Sequence, residues 1–106
     1  MNADAIATPP GAAAPKIAKR SADDRLYLID CRPLLRRFEL LSQVLDVQAP
    51  GLSVSLQRPR SGVFLEVRVA GGTVPTGQPH KDHALSASLR TSQGTVAVAV
   101  DFRVYP

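Results

Sequence analysis

The sequence predicts an all-β fold, an antiparallel β-sandwich of immunoglobulin-like size preceded by an extended N-terminal arm. Three observations carry this. Apolar and polar residues alternate in run after run from residue 52 onward, tight Gly- and Pro-bearing turns separate the runs, and no crossover helix joins them. Strands connected that closely pair antiparallel, and sheets with one apolar face bury it against each other.

The 106 residues leave room for one domain, divided into an arm over 1–22 and a sandwich over 23–106. The arm is Ala-rich and punctuated by Pro9, Pro10 and Pro15. Such a segment buries too little to offset its ordering entropy, so it is expected to lie extended on a neighbouring subunit. RLYLIDC reads as the first sandwich strand, with Leu26 and Leu28 on one face, Tyr27 and Ile29 on the other, and cover over both. The next segment supports two patterns. Leu34, Phe38, Leu41 and Leu45 recur at helical spacing behind Pro33, whereas Val44, Leu45 and Val47 suit a strand. A short turn or helical turn over 33–39 followed by a strand over about 40–47 is the preferred expectation.

The remaining strands follow from alternation. Leu52, Val54 and Leu56 point inward, and RPRSG makes a turn. Val63, Leu65, Val67 and Val69 then oppose Phe64, Glu66, Arg68 and Ala70. Gly71 and Gly72 relieve the backbone where that strand ends. Leu85, Ala87 and Leu89 share a face, Ser92-Gln93-Gly94 forms a three-residue hairpin connection with Gly94 in the left-handed position, and Val96 to Val104 alternate inward.

Composition narrows the function. No apolar run approaches the ~20 residues of a membrane helix, and the N-terminal stretch has no apolar core of a secretory signal. The single cysteine, Cys31, permits no internal disulfide and fits a reducing cytoplasm. The net charge of +4 comes from scattered arginines without interleaved aromatics, which weighs against nucleic acid. Gly72 and Gly77 have the spacing of half a phosphate loop, but Gln78 and Pro79 stand where Lys and Ser/Thr would act. His80, Asp82 and His83 lack a fourth metal ligand and a firm scaffold. No nucleophile sits in a catalytic motif, so the expectation is a protein without enzymatic activity, cofactor or metal. Contact then falls to Arg36 and Arg37, to Arg58 and Arg60 as an interfacial rim, and to Pro75, His80 and His83 in the long loop.

From Val67 to Val104 the chain runs VRVAGGTVPTGQPHKDHALSASLRTSQGTVAVAVDFRV. Its Gly-Gly-Thr, polar loop, strand ending in Thr-Ser-x-Gly and last alternating strand resemble the small fibre-tail adaptor proteins of tailed bacteriophages. LYLIDCRPLL, with Asp30 in the matching place, and APGLSVS extend the resemblance over roughly residues 25–104. The sequence departs from the family at Cys31-Arg32-Pro33, where a Trp is common, and in the inserted VPTGQPHKDHA. The resemblance implies an immunoglobulin-like sandwich made in the host cytoplasm and built into a virion. There it would be a spacer in several symmetric copies, joining tail or neck components to fibres or to each other. It also favours turn and strand over helix for 33–47. A capsid cement protein stapling shell subunits with its arm is the alternative. A small carbohydrate- or nucleic-acid-binding sandwich, with Tyr27 and Tyr105 as its available aromatics, is a second.

Overall fold

Eight strands and one helical turn make up the computed structural model, which describes residues 2–9 and 11–106. The strands are β1 (Ala5–Ile6), β2 (Lys16–Arg20), β3 (Arg25–Asp30), β4 (Leu41–Gln48), β5 (Leu52–Arg60), β6 (Phe64–Gly71), β7 (Lys81–Thr91) and β8 (Gly94–Tyr105). They form two four-stranded sheets, ordered β1-β3-β6-β5 and β2-β8-β7-β4. The helical spacing over 33–47 yields only a 3-10 turn at Arg32–Leu34, a loop over 35–40 follows, and β4 starts at Leu41.

Both sheets are mixed, which corrects the antiparallel expectation. β1 runs parallel to β3, and β2 runs parallel to β8. The same pairings correct the arm. Its residues are woven into the chain's own sheets, one edge strand in each. The physical reason lies in the backbone, which forms ladder bonds whatever the side chains are. Asp4 N–H donates to the Leu28 carbonyl, and Leu28 N–H donates back to the Asp4 carboxylate. Ala7 N–H reaches the Asp30 carbonyl. Small Ala5 and Ala7 fit beside the core, and Ile17 enters it opposite Phe102. The Pro15 carbonyl accepts Asp101 N–H, but Pro15 has no N–H for the next rung, so β2 begins one residue later. Of the candidate contact prolines, Pro10 lies outside the described residues.

The core is the seam between sheets. Ile29, Leu65, Val67 and Val69 from one face meet Leu85, Leu89, Val100, Phe102 and Val104 from the other, all without solvent exposure. Tyr27 packs edge-on to Phe102 across the seam at 5.1 Å. Cys31 is fully buried, and burial pushes its thiol up to about 12, so it is a core hydrophobe.

Four local expectations change. Leu26, expected to be covered, is half exposed, while Leu28 on the same face is buried. RPRSG is no turn: β5 continues through Arg60, and the reversal uses Ser61 and Gly62, both at positive φ. Gly94 pairs with Thr91 inside the ladder, so the β7–β8 connection is Ser92-Gln93 alone. HKDH is mostly strand, with β7 starting at Lys81.

At the far end of β6 the paired glycines have separate tasks. Gly71 and Gly72 both sit in left-handed backbone, at φ +78° and +96°. A Cβ on Gly72 would lie 2.8 Å from Val104 Cγ2, whereas one on Gly71 would meet nothing closer than 3.9 Å. Gly71→Ala is therefore expected to cost only the backbone strain, about 1–2 kcal/mol. Gly72→Ala should add overpacking of ~1–3 kcal/mol. Urea denaturation of both variants measures the difference, and equal losses would show that Val104 yields freely.

Candidate functional site

The side chains that combine charge, burial and fixed geometry lie on the outer face of the β1-β3-β6-β5 sheet. Register places them in rows across the strands. Ile6, Asp30, Phe64 and Arg60 form one row, and Leu28, Glu66 and Arg58 the next. Leu26, Arg68 and Leu56 form the third. Leu56 joins this face because a bulge between Val54 and Leu56 resets the alternation of β5.

Glu66 is the centre of the array. Arg58 Nε donates to its Oε1 at 2.8 Å and Arg60 Nη1 to its Oε2 at 2.6 Å. The carboxylate retains 2% of its side-chain exposure while the two arginines keep 60% and 48%. Its burial is therefore shallow, since guanidinium groups and not protein interior cover it. The hydrogen bond from Arg60, then that from Arg58, holds its carboxyl below the ordinary range despite burial. Asp30 repeats the arrangement beside it. Arg32 donates through Nε and Nη2 to both Asp30 oxygens, and its backbone N–H adds a bond to Oδ1. That guanidinium depresses the Asp30 carboxyl and lies 5.6 Å from the Phe64 ring centroid. Phe64, on a solvent-side face, is buried beneath this cover.

A second contact element caps one end of the sandwich. Residues 35–40 carry Arg36, Arg37, Phe38 and Leu40, all exposed. Glu39 is buried, accepting Arg36 N–H at 2.7 Å and the Thr91 hydroxyl. The Arg36 N–H bond first, and the Thr91 bond second, lower its pKa. Gln93 Nε2 donates to the Arg37 carbonyl, and Ser92 bonds Leu40 through both backbone and hydroxyl. The tip is thereby fixed, with Phe38 at φ +64° and Arg37 over its ring at 4.9 Å.

The other candidate residues are distributed. His83 turns between the sheets, its Nε2 at 2.9 Å from the Thr73 carbonyl. His80 stays outside, edge-on to Tyr105 at 5.7 Å. Asp82 accepts bonds from Lys16 and Arg103, which hold its carboxyl far below the usual carboxylate range, with Arg103 the larger cause. The two histidines thus share no site. Pro75 is exposed in the 72–80 loop, whose Pro75 carbonyl accepts Gln78 N–H. Pro9 lines a groove of about 380 Å³ against Ser86, Ser88, Ala97 and Ala99 on the other sheet's outer face.

Arg58 and Arg60 were visible as a candidate rim, but their common partner was not. The available signal was Glu66 itself, the single acid in GVFLEVRV. A hairpin closing at Arg60 and Phe64 sets Glu66 directly opposite Arg58. Phe64 shares the strand face of Glu66 by alternation, whereas Asp30 and Arg32 come to it through the β3–β6 pairing that no spacing announces. Compared with models of known protein families, with curated proteins and with solved structures, the chain matches none.

The depressed carboxylates fix a pH dependence. In the folded chain Asp30 and Glu66 hold their charge to lower pH than in the unfolded chain, which takes up protons first as the pH falls. Their stabilisation is complete above the unfolded value of roughly 4 and disappears as the pH falls through the folded values. Urea midpoints should hold steady down to about pH 5 and fall below about pH 4. Glu66→Gln should flatten that decline, and an equally steep decline in the variant would remove Glu66 from the account.

Proposed function

We propose that this chain is a non-enzymatic structural protein of a phage virion. It is an immunoglobulin-like sandwich that serves as an adaptor, joining tail or neck components to fibres or to each other by protein–protein contact. Two pieces of the adaptor resemblance occupy framework positions. Gly71-Gly72-Thr73 closes β6 against Val104, and Thr91 to Gly94 turn β7 into β8.

The observation that carries a contact role is Phe38. A bulky residue in left-handed backbone is an outlier that costs ~1–2 kcal/mol. Phe38 recovers little of this by burial, because it stays 83% exposed. Hydrogen bonds through Glu39, Gln93 and Ser92 nevertheless hold its loop in place. A rigid aromatic with a stacked arginine is the type of group that supplies binding energy when a partner desolvates it. In the isolated fold it is a net cost.

Location tests the reading. Tagged copies in purified particles should map to the tail or neck, in tens per particle at most. Hundreds on the shell would transfer the protein to the cement class, and absence from particles would overturn a virion role. Phe38 separates stability from function. Phe38→Gly relieves the left-handed strain and should raise stability by about 1 kcal/mol, while incorporation into particles falls. A stabilised variant that incorporates normally would remove the loop from the interface.

A further inference from the structure

Resting on the adaptor reading, we infer that the outer face of the β1-β3-β6-β5 sheet is a carboxylate-reading surface. Arg58 and Arg60, with Arg32 beside them, take Asp or Glu side chains of an extended segment of a partner protein. Arg58 and Arg60 point from the same face of β5 two residues apart, about 7 Å along the strand. Both are tied to the one carboxylate of Glu66, at 2.8 and 2.6 Å. Each uses one N–H group there and retains others toward solvent. Arg32 is tied likewise to Asp30, with its plane over Phe64. A free arginine loses much rotamer freedom on binding, whereas these three have already lost it in folding.

Charge decides the class of partner. Three guanidiniums against two buried carboxylates leave one net positive charge on the array. That suits single carboxylates set at intervals, and it is a weak field for a nucleic-acid backbone with its closely spaced phosphates. The surroundings are also suited to a protein. Leu26 and Ile6 stand half exposed on the same face, ready for apolar side chains between the acids. Pro59, between the two arginines, has no N–H, so the free edge of β5 is a poor template for strand addition. The segment therefore lies across the face and is read by side chains.

The test uses the full chain and a short synthetic peptide with Glu at alternate positions in a Ser background. The same peptide with Gln, inorganic phosphate and a DNA duplex serve as comparisons. Arginine Nε–Hε resonances give the readout. Signals of Arg32, Arg58 and Arg60 should move with the Glu peptide and stay still with the Gln peptide. Glu66→Gln distinguishes a positioned site from general attraction, because it removes a negative charge. Simple attraction would then strengthen binding, whereas loss of positioning should weaken it about tenfold. Arg58→Lys with Arg60→Lys keeps the charge, loses the fixed planes, and should weaken binding similarly. If Glu66→Gln does not fold, the lysine pair supplies the comparison.

Equal or tighter peptide binding by the folded variants would overturn the inference, as would arginine signals that ignore the Glu peptide. Shifts as large with phosphate or DNA would replace the acidic partner with a polyanion. Copies at the tail of particles whose protein ignores the peptide would leave the adaptor reading and remove this one. Peptide binding by a protein absent from particles would do the reverse.

Discussion

Every open sheet has edges whose N–H and C=O groups need partners or protection, and the handling of four such edges organises this molecule. The six strands from β3 to β8 would leave β3 and β8 open on one side and β4 and β5 on the other. Residues 4–7 and 16–20 cover the first side, β1 along β3 and β2 along β8. Lys16 secures β2 with bonds to Asp82 and Asp101, and buried Lys19 donates to the carbonyls of Arg20 and Gly71. The second side is blunted differently. β4 carries two register shifts, and β5 carries one together with Pro59 and its flanking arginines.

The edge arginines make the outer face possible. Glu66 in a strand between Leu65 and Val67 would be expensive to bury alone. Arg58 and Arg60 neutralise it from the neighbouring edge, and in doing so they become fixed. Protecting an edge and presenting ordered guanidiniums are thus one arrangement. Asp30 at the end of β3 and Arg32 in the turn after it pair likewise and keep Phe64 covered. The opposite sheet shows the contrast. Ser86, Ser88, Ala97 and Ala99 leave the middle of its outer face small and uncharged, and charges gather at one end, where Asp82 joins Lys16 and Arg103.

Sequence pattern reads this fold where side-chain burial decides it. Alternation located β6 to β8 and their inward residues because one face of each strand meets the seam. It misplaced Leu56 of β5, expected inward, which the bulge after Val54 turns to the outer face. It failed where the backbone decides. The Ala- and Pro-rich start offers no periodic signal, yet two short parallel ladders capture it. Glu66 failed for another reason. Alternation correctly put it on the outer face, but outer was equated with exposed, and two long side chains cover it. Phe38 counted as a helical-face residue by spacing, while hydrogen bonds from the β7–β8 turn set its backbone at positive φ. The candidate site was therefore half legible. Its arginines stood in the sequence, but the carboxylates that order them required the register.

The two contact elements also belong to one end of the molecule. Leu40 packs against Gly62, in the turn that directly follows Arg60. Arg32 opens the segment that leads to Phe38, and its guanidinium lies over Phe64, the cross-strand neighbour of Arg60. The Leu41 N–H to the Gly62 carbonyl joins the two sheets at the same point. That bond ties the loop that carries Phe38 to the hairpin that carries the arginine array. On the proposed adaptor reading, a partner seating Phe38 in an apolar pocket would find the ordered guanidiniums on the adjoining face. Its acidic residues would then need only the spacing of an extended chain to reach them.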